Sequence, residues 1–117
     1  MFGHEKFEIY HTAIDFVAAS NKILEKIPQG NAKLADQFRR ASISIPLNIA
    51  EGSGKSTELQ KHQHYMIARG EAMECAAILD VLIQLNMADK AAVENAKLLL
   101  EKIAAVLTAT CKKNSAK

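Results

Sequence analysis

A chain of 117 residues with two cysteines, two prolines and five glycines is long enough for one domain with its own core and needs no metal or disulfide staple. So few turn-forming residues disfavour an all-β fold, while 49% apolar and 24% charged residues give the balance of a soluble chain. A net charge of +2 is a weak signal and does not approach the dense basic stripe of a dedicated nucleic-acid binder, although assembly into a ring would concentrate modest charges on one face.

The first predicted helix covers residues 5–27. One stripe holds Phe7, Tyr10, Ile14, Val17, Asn21 and Leu24, and a second holds Ile9, Ala13, Phe16, Ile23 and Ile27. Pro28 and Gly30 end it, since proline lacks a donor and restricts the residue before it. Asn31 is the expected N-cap of a second helix over 32–52. There Leu34, Phe38, Ala41 and Ile45 form one apolar face, and Ile43, Leu47 and Ala50 form another. A helix apolar on two sides touches more than one neighbour, so this element is expected at the centre of a bundle and at a subunit interface. Pro46 falls inside it, at a cost of roughly 3 kcal/mol in a helix interior. Because the apolar pattern resumes in phase at Ile49, a kink is expected rather than a break, with the hydroxyls of Ser42 or Ser44 serving the freed polar groups. Gly52 and Gly54 are the expected stop.

The third helix is predicted over 57–86, opened by a capping box of Thr57 and Gln60. Ala68, Ala72 and Ala76 lie four apart as a small-residue strip for close helix approach, and Met66, Met73, Leu79, Leu82 and Ile83 supply bulk. Asp89 is the expected N-cap of a fourth helix over 90–112. Its apolar positions are Val93, Ala96, Leu99, Leu100, Ile103, Val106 and Leu107, and a tail with Lys112, Lys113 and Lys117 follows. Four long helices joined by short connections make an all-α, up-down antiparallel four-helix bundle, a single domain over 1–117. Cys75 and Cys111 sit far apart in apolar helical settings, the pattern of buried, reduced thiols in a cytoplasmic protein. Met1 leads directly into His4-Glu5-Lys6, so no signal peptide is expected. No apolar run is long enough to span a membrane.

Three motifs invite a chemical reading. Gly52-Ser53-Gly54-Lys55-Ser56-Thr57 imitates the end of a phosphate-binding loop, but the glycine required five residues before Gly54 is Ile49, and a helix precedes it instead of a strand. His62 and His64, two apart on a helix, point in divergent directions and read as solvated side chains, with no metal site expected. Asn48 and Glu51 share one side of a helix, yet an amide and a carboxylate alone do not make a nucleophile with its base. Their structural reading is stronger. They are expected to bond freed backbone groups or Arg39, Arg40 or Arg69, and an Arg69–Glu51 or Arg40–Glu74 pair would fix the register of the second and third helices.

The run Gln37-Phe38-Arg39-Arg40-Ala41-Ser42-Ile43-Ser44-Ile45-Pro46-Leu47-Asn48-Ile49-Ala50-Glu51-Gly52-Ser53-Gly54-Lys55 resembles the signature of a bacterial four-helix-bundle family. Founding members of that family are encoded by intervening sequences in 23S ribosomal RNA genes. Tyr65 to Cys75, with its Ala68-Arg69-Gly70 step and Glu74, resembles the family's second motif, although Glu71 stands where a serine is common. The resemblance spans essentially the whole chain. It implies a left-handed bundle assembled as a homopentameric ring, and it extends to the accessory protein of diversity-generating retroelements, which works with a reverse transcriptase and RNA.

From these readings the chain is expected to be non-enzymatic and without cofactor, a scaffold or accessory meeting structured RNA or an RNA-handling, reverse-transcriptase-like protein. Arg39, Arg40, Lys55, Lys61 and Arg69 are the candidate RNA contacts. Asn48, Glu51, Gly52 and Glu74 are the candidate structural motif. With no tryptophan and only Tyr10 and Tyr65 as polar-edged rings, any RNA contact would rest on backbone and shape rather than base stacking. The alternative is a protein–protein interaction module with no nucleic-acid affinity.

Overall fold

Phe7 divides the N-terminal segment that its apolar periodicity presents as one helix. The computed structural model describes residues 2–115, with side chains through Lys112. A 3₁₀ turn over Gly3–Lys6 precedes Phe7, whose backbone is extended (φ −87°, ψ 107°), and helix α1 then runs over Glu8–Glu25. The Phe7 ring lies edge-on to Tyr65 at 5.9 Å between centroids, so tertiary packing outweighs helix continuation there. The other elements are α2 (Ala32–Ser53), α3 (Glu58–Gln84) and α4 (Lys90–Ser115). Among the described residues there is no strand.

Each helix packs against its sequence neighbours, α4 closes the square against α1, and the two diagonal pairs stay apart. This is the four-helix bundle expected from the periodicity. Its core is built from Ile9, Ala13, Phe16 and Ile23 of α1, Phe38, Ala41, Ile45 and Ile49 of α2, Ala68, Ala72, Leu79 and Leu82 of α3, and Val93, Ala96, Leu100, Ile103 and Leu107 of α4. Burying each large apolar side chain contributes about 1.5–3 kcal/mol. In α1 the stripe through Ile9, Ala13 and Phe16 is the buried one, whereas Ile14 and Asn21 of the other stripe are exposed. In α3, Met66 and Met73 do not fill the core as expected but face outward. Helix geometry places them beyond the inward arc occupied by Ala68, Ala72, Cys75 and Leu79.

Helix ends follow side-chain chemistry. Thr57 Oγ1 accepts from the Gln60 amide at 3.2 Å, and Asp89 Oδ2 accepts from the Ala92 amide at 3.0 Å, satisfying two otherwise orphaned donors. Asn31 occupies the N-cap position of α2, but its side chain donates to the Pro28 carbonyl instead of accepting from the helix. At the end of α3, Asn86 takes the left-handed conformation (φ 56°). The Asn86 and Met87 amides then return to the carbonyls of Ile83 and Leu82, a Schellman closure.

Helix α2 passes through the buried Pro46 as one unbroken element. The Ser42 hydroxyl does not serve its own freed carbonyl; it donates to the carbonyl of Phe38 at 2.7 Å. Gly52 is not a helix stop. It lies buried in the last turn of α2, where an added Cβ would stand 2.6 Å from Tyr65 Cε1, 2.9 Å from Cδ1 and 3.2 Å from His64 Cβ. Tyr65 has little room to retreat, because it is buried with its hydroxyl 3.3 Å from Ser53 Oγ. Gly54, the C-cap, has an ordinary helical φ of −88°, and an added Cβ there would make only ordinary van der Waals contact, 3.7 Å from the Glu51 carbonyl oxygen and 3.8 Å from that of Ala50.

The two glycines should therefore respond differently to alanine. Gly52→Ala is expected to destabilise the fold by about 1–3 kcal/mol through overpacking, outweighing a helix-propensity gain of at most about 1 kcal/mol. Gly54→Ala is expected to change stability by less than about 0.5 kcal/mol. Urea denaturation followed by circular dichroism checks both, and equal effects would refute the close-approach role of Gly52.

Candidate functional site

The signature residues of α2 and α3 meet along one antiparallel seam. On α2, Gln37, Arg40, Ser44, Asn48 and Glu51 recur at three- and four-residue spacing, and on α3 His64, Ile67, Glu71 and Glu74 do the same. Such spacing places each set on one helix face. Packed together, they form two polar clamps separated by apolar surface.

The first clamp holds Arg40. Its guanidinium reaches Glu74 at 2.9 Å and Glu71 at 3.4 Å, and Gln37 Nε2 donates to the same Glu74 oxygen at 3.4 Å. Of the two register pairs expected, Arg40–Glu74 forms. The second clamp centres on His64. Asn48 Nδ2 donates to the Ser44 carbonyl and to Ser44 Oγ, both at 3.0 Å, which leaves Oδ1 to accept from His64 Nδ1 at 3.1 Å. Glu51 Oε2 lies 3.5 Å from the same nitrogen. His64 is thus half-buried and partnered, not solvated, and Asn48 and Glu51 bond a histidine instead of an arginine.

Arg69 cannot meet Glu51, because it lies on the side of α3 that faces α4, where its Nε donates to Thr108 Oγ1 at 2.7 Å. Arg39 is tied to Asp36 at 3.0 Å on the same helix. Lys61 Nζ donates to the Ser53 carbonyl at 3.3 Å, where a cation complements the C-terminal end of α2. Lys55 stands exposed in the connection between α2 and α3. The five candidate RNA contacts are therefore distributed over the α2 surface, the α2–α3 connection and the α3–α4 groove. The tail lysines Lys113 and Lys117 lie outside the residues whose side chains are described.

The model of the 23S rRNA-intervening sequence protein family matches residues 5–109. The chain belongs to that family. No curated protein matches it. In this family member, the motif Asn48-Ile49-Ala50-Glu51-Gly52 has a physical role at each step. Asn48 and Glu51 grip α3 through His64, Ile49 fills the core, and Gly52 admits Tyr65.

Between the clamps the surface is apolar. Ile43 and Leu47 are 42% and 56% exposed on α2, and Ile67 is 49% exposed on α3. The pairs Arg40–Glu71 and Asn48–His64 bring Ile67 level with Ser44, so Ile43, Leu47 and Ile67 all fall on the length of α2 and α3 between the clamps. Of the second apolar stripe of α2, expected to meet a neighbour, Ile43 and Leu47 stand exposed while Ala50 is half-buried.

Cys75 lies under the first clamp, fully buried, with Ser42 Oγ 3.7 Å from its sulfur. Burial pushes its thiol up to about 12, with the nearby carboxylates of Glu71 and Glu74 adding to the rise. The thiol therefore remains protonated and inert in the folded protein. Among the described residues no group of three His, Cys, Asp or Glu side chains is placed to hold a metal ion, and no helix is long and apolar enough to cross a membrane.

The clamps differ in expected strength. Arg40→Ala breaks a pair whose arginine is 58% exposed and should cost less than about 1 kcal/mol. Asn48→Ala removes an amide that bonds Ser44 and His64 in a half-buried site and should cost about 1–2 kcal/mol. Urea midpoints of the two variants test this order. Cys75 gives a pH prediction. Its folded pKa lies above the ordinary 9.0, so the unfolded chain releases this proton first as pH rises. Its contribution to stability is full below about pH 9, falls as pH climbs from there and is lost by about pH 12. Unfolding titrations of wild type and Cys75→Ala over this window should converge as pH rises, and parallel curves would contradict the assignment.

Proposed function

We propose that the protein is a non-enzymatic scaffold that assembles with further copies of itself through the outer face of α2 and α3. The observation that carries this reading is the group Ile43, Leu47 and Ile67, exposed and flanked at both ends by polar clamps. An apolar centre with a polar rim is the anatomy of a protein interface. A closed ring satisfies such a surface on every copy, and a homopentamer is the ring that the family resemblance implies.

The assembled scaffold presents a surface to an RNA-handling protein, such as a reverse transcriptase, or to structured RNA. Engagement of Arg39, Arg40 and Lys61 within the chain favours the protein partner, since phosphate contact draws on exposed, available cations. Direct RNA contact would rest on Lys55 and on the outward edges of Arg39 and Arg40.

Native mass spectrometry of the untagged protein, purified at low salt without nuclease, tests both levels. Wild type is expected as a pentamer, and Ile43→Glu/Leu47→Glu is expected as a folded monomer, since buried unpaired carboxylates oppose the interface. A wild-type monomer would refute the assembly. Co-purifying RNA released by moderate salt would favour the RNA partner, whereas a nuclease- and salt-resistant protein complex would favour the protein partner.

A further inference from the structure

The α3–α4 groove, on the other side of α3 from the clamps, holds a cavity of about 300 Å³ lined by His62, Met66, Arg69, Thr108, Cys111 and Lys112. Its arginine is unlike the other two in the chain. Arg39 and Arg40 are ion-paired, whereas Arg69, half-buried, has no carboxylate within ion-pair distance among the described residues. Its Nε donates to Thr108 Oγ1, which holds the guanidinium plane, and among the described residues both terminal nitrogens remain as donors. A partly desolvated cation without a counter-charge favours an anion, and the terminal edge of a guanidinium matches a carboxylate through two parallel hydrogen bonds.

The remaining lining defines the rest of the ligand. Met66, Thr108 and Cys111 make a mostly apolar floor beside His62, and the exposed Lys112 adds a second cation. Cys111 is buried and its thiol is pushed up by burial, so this floor is neutral rather than a thiolate competing for Arg69. The volume lies at the lower limit of small-molecule sites. We propose that this groove binds a small organic carboxylate with a short apolar body, its carboxylate on Arg69 and its body over Met66 and Cys111. The site is formed by residues of one chain and lies on the other side of α3 from the assembly face proposed above.

The test is a ¹H–¹⁵N NMR titration of the full-length protein with hexanoate, hexanamide and inorganic phosphate in parallel. Hexanoate should give saturable shifts, at millimolar concentrations for so small a ligand, centred on Arg69, Thr108 and Cys111. Hexanamide, which matches its shape without the charge, should bind about tenfold more weakly or less, and phosphate, which has no apolar body, should give no localised saturable shift. Arg69→Gln should abolish the hexanoate response. If that variant does not fold, Thr108→Val, which retains the charge but releases the guanidinium, should weaken binding severalfold. Scattered or non-saturating shifts, equal binding of hexanamide, an equal response to phosphate, or unchanged affinity in the variant that folds would each overturn the proposal.

Discussion

The close approach of α2 to α3 is the constraint on which the rest of the structure depends. It requires a glycine at position 52, because Tyr65 occupies the space of a Cβ, and it is aided by the buried Ala68 and Ala72 on α3. Small residues bring the backbones together, and large ones on either side, Phe38, Ile45, Ile49, Leu79 and Leu82, fill the volume that remains. Once the two helices are this close, short polar side chains such as Asn48 and Ser42 bridge between them.

That seam sets which groups are available for function. Arg40 bonds Glu71 and Glu74, Lys61 satisfies the end of α2, and Asn48 and Glu51 hold His64. Most of the polar signature residues therefore specify how the bundle packs. What remains outward between the clamps is apolar, and an apolar outward surface on a small domain is disposed to bury itself against another protein. The weak net charge and the ion pairing of Arg39 and Arg40 point the same way. Helix α3 has a second side, and there Arg69, turned toward α4, is held by an uncharged partner.

Much of the architecture was legible in residue periodicity. Four helices, their approximate limits, the caps at Thr57 and Asp89, the core of α4 and the Arg40–Glu74 pair follow from spacing, capping chemistry and charge. Family membership was legible in the run from Gln37 to Lys55. The misreadings have a common cause. Met66 and Met73 look like core residues, Gly52 looks like a stop, His64 looks solvated and Glu51 looks like a partner of Arg69. In each case the residue type is ambiguous, and the outcome depends on which neighbouring helix its face meets. The signal for His64 and Glu71 was present, since they share a face with Glu74 at helical spacing, but spacing alone does not name the residues on the opposite helix.

The sequence by itself determined the elements, because helix formation, capping and amphipathic burial are local properties encoded within a few turns. It also determined that α2 has two apolar sides. Only the tertiary structure decided that one side is core and the other open surface, that the glycine before the turn is a contact point, and that the three arginines have three different surroundings. Those outcomes depend on rotation and register between helices distant in sequence, which are set by how side chains of unequal size interlock.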